Sequence, residues 1–318
     1  VRTRVLAGAA ITGVGAFRPA RRLDNHDIAA RTQSSDEWIR ERSGIVTRGA
    51  AAPDESVVEM GVAAAGKALA AAGVDAAQVG LVMLATCSMP GPLPGGSPEI
   101  AARLGAAAAG ATDIGAGCAG FAYALGLAAD AVRTGTAEHV VVIGSERLLD
   151  LVDHDDRGTA FLFGDGAGAA VVSRSDVESI GPVVWAHDGD QHEKLTIHGT
   201  PPRLSMEGRA IYRWATTSLP ALCVRAVTEA GLELSELKAF VPHQANLRIT
   251  ESVVAHLGLS SDVVVARDVV DSGNTSAASV PLALARLLEL GQVSSGDAVL
   301  LAGFGAGLTA AAQVVLLP

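Results

Sequence analysis

An internal repeat constrains this chain more than any other feature. The stretch Ala72-Gly73-Val74-Asp75-Ala76-Ala77-Gln78-Val79-Gly80-Leu81-Val82 recurs 158 residues later as Ala230-Gly231-Leu232-Glu233-Leu234-Ser235-Glu236-Leu237-Lys238-Ala239-Phe240. The same offset lays Asp113-Ile114-Gly115 on Asp271-Ser272-Gly273, and Val140-Val141-Val142-Ile143-Gly144 on Ala298-Val299-Leu300-Leu301-Ala302. A period this long is far beyond a solenoid unit, so it marks a duplicated domain. Each half reads helix, loop, strand, glycine-rich turn, helix, strand, which is an α/β pattern with buried strands. The expected division is an N-terminal half over residues 1–172 and a C-terminal half over 173–318. Turn residues and the charged, histidine-containing stretch Asp188 to Lys194 interrupt the pattern near this junction.

Composition narrows the classes of function. With 318 residues, 49% of them hydrophobic, and no long charge block, the chain has material for a large core and is not disordered. A net charge of −10 argues against a general nucleic-acid binder. Three unevenly spaced cysteines without a C-x-x-C pair point to a reducing, cytoplasmic compartment and no disulfide framework. Cys87 and Cys223 read as small core residues. Arg2 and Arg4 before Val5 to Phe17 outline a signal peptide, but Gly8, Gly13 and Gly15 interrupt the apolar run and favour a first strand. The uncharged segment Ala298 to Pro318 is long enough to span a bilayer. Gly303, Gly305, Gly307 and Gln313 divide it instead into strand, turn and strand.

Several familiar motifs are incomplete. Gly13-Val14-Gly15 lacks the third glycine of a dinucleotide fingerprint, and His192-Glu193 with His198 lacks zinc-ligand spacing. No nucleophile elbow or phosphate-binding loop occurs, and no metal site is expected. Gly164-Asp165-Gly166-Ala167-Gly168 reads as a structural turn.

Cys118 stands apart because of its frame, Asp113-Ile114-Gly115-Ala116-Gly117-Cys118-Ala119-Gly120-Phe121. A strand-like approach ends in small residues, and a helical pattern begins at the cysteine. A thiol at a helix N-terminus meets unpaired N–H groups and the positive end of the dipole. That placement is expected to lower its pKa from about 8.5 into roughly the 3.5–7.5 range. Under the repeat, Cys118 maps to Ser276, two residues past Asn274, and Ala85 maps to His243. If the halves pack about a pseudo-twofold axis, Cys118, His243 and Asn274 converge.

A thiolate, an imidazole and a carboxamide together allow two chemistries. In one, the cysteine takes an acyl group from a thioester. Histidine and asparagine then donate hydrogen bonds to a second thioester's carbonyl and stabilise the enolate formed as carbon dioxide leaves. In the other, a transferase or hydrolase uses histidine as base for the cysteine, with asparagine orienting it. Residue types alone leave both open.

The motifs in order resemble the β-ketoacyl-acyl-carrier-protein synthase III family, the initiating ketosynthases of the thiolase superfamily, over nearly the whole chain. The landmarks are Ser34-Ser35-Asp36-Glu37-Trp38-Ile39, Arg42-Ser43-Gly44-Ile45, Gly117-Cys118-Ala119-Gly120-Phe121, Asp156-Arg157-Gly158 and Phe163 to Ala170. Val241 to Ile249 and Gly273 to Ser279 complete the set. The resemblance implies a five-layered αβαβα thiolase fold, a homodimer, and no cofactor, with the coenzyme A thioester as substrate. It implies Cys118 as the acylated nucleophile and His243 with Asn274 for decarboxylation. It also implies an oxyanion hole from the backbone N–H groups of Cys118 and Ala306, beside Phe304-Gly305-Ala306-Gly307. The Cys-His-Asn set resembles members that draw an acyl primer from coenzyme A and extend it with malonyl-acyl-carrier protein. By the same resemblance, Trp38 and Arg157 hold the coenzyme adenine, and Gly208, Asn246 and Phe304 line the pantetheine tunnel. Arg42, Arg213 and Arg248 stand at its mouth, Arg42 for the coenzyme and the other two for the carrier protein.

Departures from the family pattern concern the acyl pocket. Leu93 stands where some relatives place a phenylalanine reaching into the partner's pocket, and Ala310 replaces an aromatic residue. Both changes predict room for a branched or longer primer. The short segment Asp188 to Ser205 predicts a reduced tunnel cover. The alanine- and arginine-rich composition resembles actinobacterial fatty-acid initiators and polyketide priming ketosynthases. Acyl transfer or thioester hydrolysis at the same site is the alternative. A catalytically silent scaffold subunit ranks third, since Cys118, His243 and Asn274 are all retained.

Overall fold

The computed structural model describes residues 7–318. Arg2, Arg4 and the start of the apolar run after them lie outside the described residues. The N-terminal half contains β1 (Gly8–Phe17), β2 (Arg22–Asp24), α1 (Asn25–Thr32), α2 (Asp36–Ser43), β3 (Thr47–Gly49) and α3 (Val57–Ala72). It continues with β4 (Leu81–Ala85), α4 (Ser97–Leu104), β5 (Gly110–Ile114), α5 (Gly120–Arg133), β6 (His139–Arg147) and β7 (Asp165–Ser175). The C-terminal half contains β8 (Val184–His187), β9 (Leu195–His198), β10 (Arg203–Met206), α6 (Gly208–Glu229), β11 (Ala239–Pro242) and α7 (Leu247–Leu257). It ends with β12 (Val264–Val265), α8 (Val269–Ser272), α9 (Ser279–Glu289), β13 (Ala298–Gly305) and β14 (Thr309–Leu316).

Two five-stranded sheets result, ordered β1-β7-β6-β4-β5 and β8-β14-β13-β11-β12. Order and direction agree strand for strand. The first three strands of each run antiparallel to their neighbours, and the last three lie parallel. Helix α3 covers the outer face of the first sheet, α5 and α9 fill the space between sheets, and α6 with α7 covers the second. This is the five-layered αβαβα arrangement.

Strand alternation explains the continuous apolar runs. Val140 and Val142 face the central core with Phe121, Leu125 and Leu284, whereas Val141 and Ile143 face the outer core with Met60, Ala64 and Ala68. Phe240 and Leu300 meet Trp214 and Leu219 beneath α6. A strand covered on both faces has no reason to alternate polar and apolar residues.

The structure corrects three details of the repeat. β4 pairs Leu81 with Val140, and β11 pairs Ala239 with Val299, so Val140 corresponds to Val299 and not to Ala298. Asp113-Ile114 ends strand β5, but Asp271-Ser272 lies in α8, which extends the second half beyond its shorter edge strand β12. The left-handed residues of the two turns are Gly117 (φ 49°) and Ser276 (φ 48°), so Gly117 matches Ser276, and Cys118 matches Ala277. Runs of interchangeable small residues concealed this slip. β7 also continues through Ser175, past residue 172, so the first sheet closes beyond the expected boundary.

Two buried charges tie loops beneath the site. The Asp165 carboxylate accepts the N–H groups of Ala51 (2.9 Å) and Leu149 (3.0 Å), and burial pushes its pKa up to about 6. Arg48 donates to Asn25 Oδ1 (2.8 Å) and the Phe161 carbonyl (2.9 Å), and burial pushes its pKa down to about 10. Among the described residues, no helix is long and apolar enough to cross a membrane. Ala298 to Pro318 forms the β13–β14 hairpin, as the glycines indicated.

Candidate active site

Three chain segments bring Cys118, His243 and Asn274 to one cavity of about 110 Å³. Cys118 sits in a single helical turn, Gly117–Ala119, that leads into α5. His243 follows the last residue of β11, and Asn274 follows α8. Leu148, Phe163, Leu195, Leu204 and Ile211 give the cavity apolar walls.

Two glycines make the nucleophile turn sterically feasible. Gly117 takes φ 49°, where a side chain is disfavoured. A Cβ at Gly305 would lie 2.7 Å from the Cys118 nitrogen, so only glycine lets β13 approach the turn. Ser276 adopts the matching left-handed conformation without being glycine, and its N–H donates to Asn274 Oδ1 (2.9 Å). That bond commits the Asn274 oxygen to the backbone and leaves its amide N–H groups for the cavity.

The Cys118 thiol departs from the sequence-based expectation. Burial pushes its pKa up to about 12 instead of down. A hydrogen bond with Ser276 pulls it back, the nearby Glu146 carboxyl pushes it further up, and the Cys118 N–H pulls it down. The helix terminus favours the anion, but removal from water outweighs it. The His243 ring is only 2% exposed, and burial lowers its pKa to about 3, so it is neutral at physiological pH. Its Nδ1 lies 2.6 Å from Ser279 Oγ, and Phe304 packs edge-to-face against it at 5.0 Å.

Ile211 also lines a second, wider cavity of about 460 Å³, bordered by Arg42, Phe161, Gly208, Arg213, Asn246 and Arg248. Asn246 caps α7 by accepting the Ile249 N–H (3.0 Å). Beside this cavity, the guanidinium groups of Arg42 and Arg157 each lie 4.6 Å from the Trp38 ring centre, and Phe161 meets that ring edge-on at 5.2 Å. Ser35 caps α2 through the Trp38 N–H (3.1 Å), fixing where the indole starts. Phe304 and Ala306 line the inner cavity. The segment after Asp188 is no bare gap: it forms the β9–β10 hairpin, which places Leu195, Thr196, Ile197 and Leu204 on the cavity wall.

Ala310, expected in the acyl pocket, stands elsewhere. Ala310 pairs with Phe304 across β13 and β14 and packs in the core under α6, so its small size does not widen the cavity. Leu93 is 86% exposed on the β4–α4 loop and does not line the Cys118 cavity of its own chain. Cys87, read from sequence as a plain core residue, lines the cavity beside Cys118. Its thiol lies 3.4 Å from the buried Glu146 carboxyl and 3.7 Å from Ser276 Oγ. Burial first, then Glu146, holds that thiol well above its ordinary pKa. Glu146, Ser276 and Ser279 carry no local sequence signal of a role at the site, although Ser276 and Ser279 lie inside the motif Gly273 to Ser279.

Comparison with known proteins accords with this arrangement. The family model described as 3-oxoacyl-[acyl-carrier-protein (ACP)] synthase III matches residues 112–189, and its C-terminal counterpart matches 227–317. The chain is 49% identical to β-ketoacyl-[acyl-carrier-protein] synthase III 1 of Streptomyces coelicolor, covering 98% of this chain and 96% of that protein. Identity to the β-ketoacyl-[acyl-carrier-protein] synthase III of Streptomyces glaucescens is 50%, with the same coverage. Among solved structures, the priming β-ketosynthase of the R1128 polyketide pathway superposes with a TM-score of 0.98 at 45% identity, covering 100% of this chain and 98% of that one. The 3-oxoacyl-[acyl-carrier-protein] synthase III of Aquifex aeolicus gives 0.93 at 36% identity, covering 97% and 100%. With a duplicated five-layered fold, a cysteine, histidine and asparagine in one buried cavity, and relatives at half identity along its length, the chain belongs to the β-ketoacyl-[acyl-carrier-protein] synthase III family.

Proposed function

We propose that the chain condenses an acyl-coenzyme A primer with malonyl-acyl-carrier protein, releasing carbon dioxide and giving β-ketoacyl-carrier protein. No cofactor takes part; the coenzyme A thioester is a substrate. In the first step the Cys118 sulfur attacks the primer carbonyl, and the oxyanion rests against the N–H groups of Cys118 and Ala306. The carbon–sulfur bond to coenzyme A breaks, and the thiol proton ends on the departing coenzyme sulfur. In the second step the malonyl carboxylate leaves as carbon dioxide, and its bonding electrons form an enolate held by N–H groups of His243 and Asn274. The enolate carbon attacks the acyl-Cys118 carbonyl. Cys118 then leaves as thiolate and takes up one proton.

One observation favours this reading over acyl transfer or hydrolysis. The Asn274 oxygen is bound to the Ser276 N–H, so the amide presents donors to the cavity and does not serve as the acceptor that orients a catalytic histidine. Two donors aimed at one carbonyl suit an enolate. A neutral imidazole with a strongly lowered pKa suits donation better than proton abstraction.

The same proposal assigns the outer residues. The coenzyme adenine enters between Trp38 and Arg157, and pantetheine runs past Gly208, Asn246 and Phe304. Arg42 meets the coenzyme phosphates, and Arg213 and Arg248 offer basic contacts to an acidic carrier protein despite the chain's net charge of −10. The enzyme works as a cytoplasmic homodimer. Among the described residues, edge strand β5 pairs with β4 alone, and the exposed Leu93 precedes it, in reach of a partner's acyl pocket. Leucine there leaves room for branched or longer primers.

Intact-mass analysis tests the reading. Protein mixed with a panel of acyl-coenzyme A primers should gain a primer-sized adduct that Cys118→Ala abolishes. Malonyl-carrier protein should then discharge the adduct as β-ketoacyl-carrier protein. An adduct that decays without that product would support hydrolysis or transfer, and strict preference for acetyl would remove the assigned role of Leu93.

A further inference from the structure

The hydrogen bonds around Ser279 determine which ring nitrogen of His243 carries the proton. Ser279 begins α9, is completely buried, and places its Oγ 2.6 Å from His243 Nδ1. The same oxygen accepts the Gln244 N–H at 3.2 Å. That donor cannot turn away, because the Gln244 side chain is itself locked: its amide donates to the Pro242 and Ala266 carbonyls and its oxygen accepts the Val269 N–H. The serine hydroxyl therefore has one lone pair engaged and one proton to place. Among the described residues, His243 Nδ1 is the one acceptor within reach of that proton. Were Nδ1 protonated, the serine proton would be buried without a partner, an arrangement folded proteins avoid.

We propose that Ser279 is a positioning residue that donates its O–H to His243 Nδ1 and thereby keeps the imidazole as the Nε2–H tautomer, with that N–H aimed into the cavity. The inference rests on the reading of His243 as a hydrogen-bond donor to the malonyl thioester. It deepens that reading, because the opposite tautomer would present a bare lone pair to the enolate oxygen and repel it. The backbone N–H of His243 donates to the Ala302 carbonyl (2.6 Å) and anchors the main chain, while Phe304 packs against the ring and supports the orientation in which Nε2 faces the substrate.

The test separates tautomer from turnover. Protein labelled with 15N at its eight histidines is examined by two-bond nitrogen–proton correlation, with His243 assigned by its loss in His243→Gln. The expected wild-type spectrum shows a protonated Nε2 and a bare Nδ1. Ser279→Ala should mix the two forms, and Ser279→Thr, which keeps a hydroxyl, should restore the first. In kinetics, Ser279→Ala should lower the rate of malonyl decarboxylation about tenfold with KM for malonyl-carrier protein little changed. That is less than the roughly 10²–10³ expected for removing a donor outright. Acylation of Cys118 should be affected much less. A wild-type Nδ1–H form, or an Ser279→Ala spectrum identical to wild type, would overturn the proposal. An Nε2–H wild type that never decarboxylates malonyl-carrier protein would leave the tautomer assignment standing and reject the condensing reaction.

Discussion

Burial and the helix terminus pull the Cys118 thiol in opposite directions, and burial is the stronger. With a pKa pushed up to about 12, the free enzyme holds little thiolate at neutral pH. In the proposed mechanism the nucleophile is instead generated as substrate arrives, with the leaving coenzyme sulfur as the final proton acceptor. The sign is testable by alkylation with iodoacetamide, read at the Cys118 peptide. Because a raised pKa shifts the thiolate population to higher pH, the rate should climb about tenfold per pH unit from pH 7 to 9.5 without levelling. A plateau below pH 9 would mean that the dipole and the Ser276 bond outweigh desolvation. His243 shows the complementary case, since burial lowers its pKa and keeps it a neutral donor throughout this range.

At the scale of elements, the site depends on strand β13 lying directly against the nucleophile turn. Gly305→Ala would place a methyl group 2.7 Å from the Cys118 nitrogen, against backbone that has no room to yield. We expect acylation of Cys118 to fall by about 10²-fold, since displacement on the order of 1 Å costs that much at a reacting centre. Gly66→Ala, in the interior of α3 with no atom within 4 Å of the new methyl, should gain about 0.5–1 kcal/mol of stability with unchanged acylation. Equal acylation rates in the two variants would contradict the packing account. The glycine-rich runs and the helix after Cys118 were legible because glycine and the apolar period are local signals. Cys87 was not legible, because its place beside Cys118 depends on where β4 ends relative to a turn some thirty residues later.

At the scale of the molecule, each sheet closes one edge with an antiparallel strand, ten residues long in β1 but four in β8, and ends the other in a parallel strand, β5 or β12. β5 is the longer of these two, and Thr112 within it is exposed. If two copies join along β5, Thr112→Glu sets like charges across the symmetry axis. It should then convert a dimer to monomer by light scattering and alter primer preference through loss of the partner's Leu93. A wild type that is monomeric at micromolar concentration, or a variant that stays dimeric, would count against β5 as the interface.

The sequence by itself determined the duplicated α/β plan, the family, and the three residues that meet in the cavity, because repeats, apolar runs and contiguous motifs are written along the chain. Only the tertiary structure decided the true register between halves, the direction of the Cys118 shift, the positions of Cys87, Glu146 and Ala310, and the bond from Ser279 to His243. Each of these depends on which distant segments exclude water or supply a partner. Desolvation and hydrogen-bond geometry are properties of the packed arrangement, and no single stretch of sequence contains them.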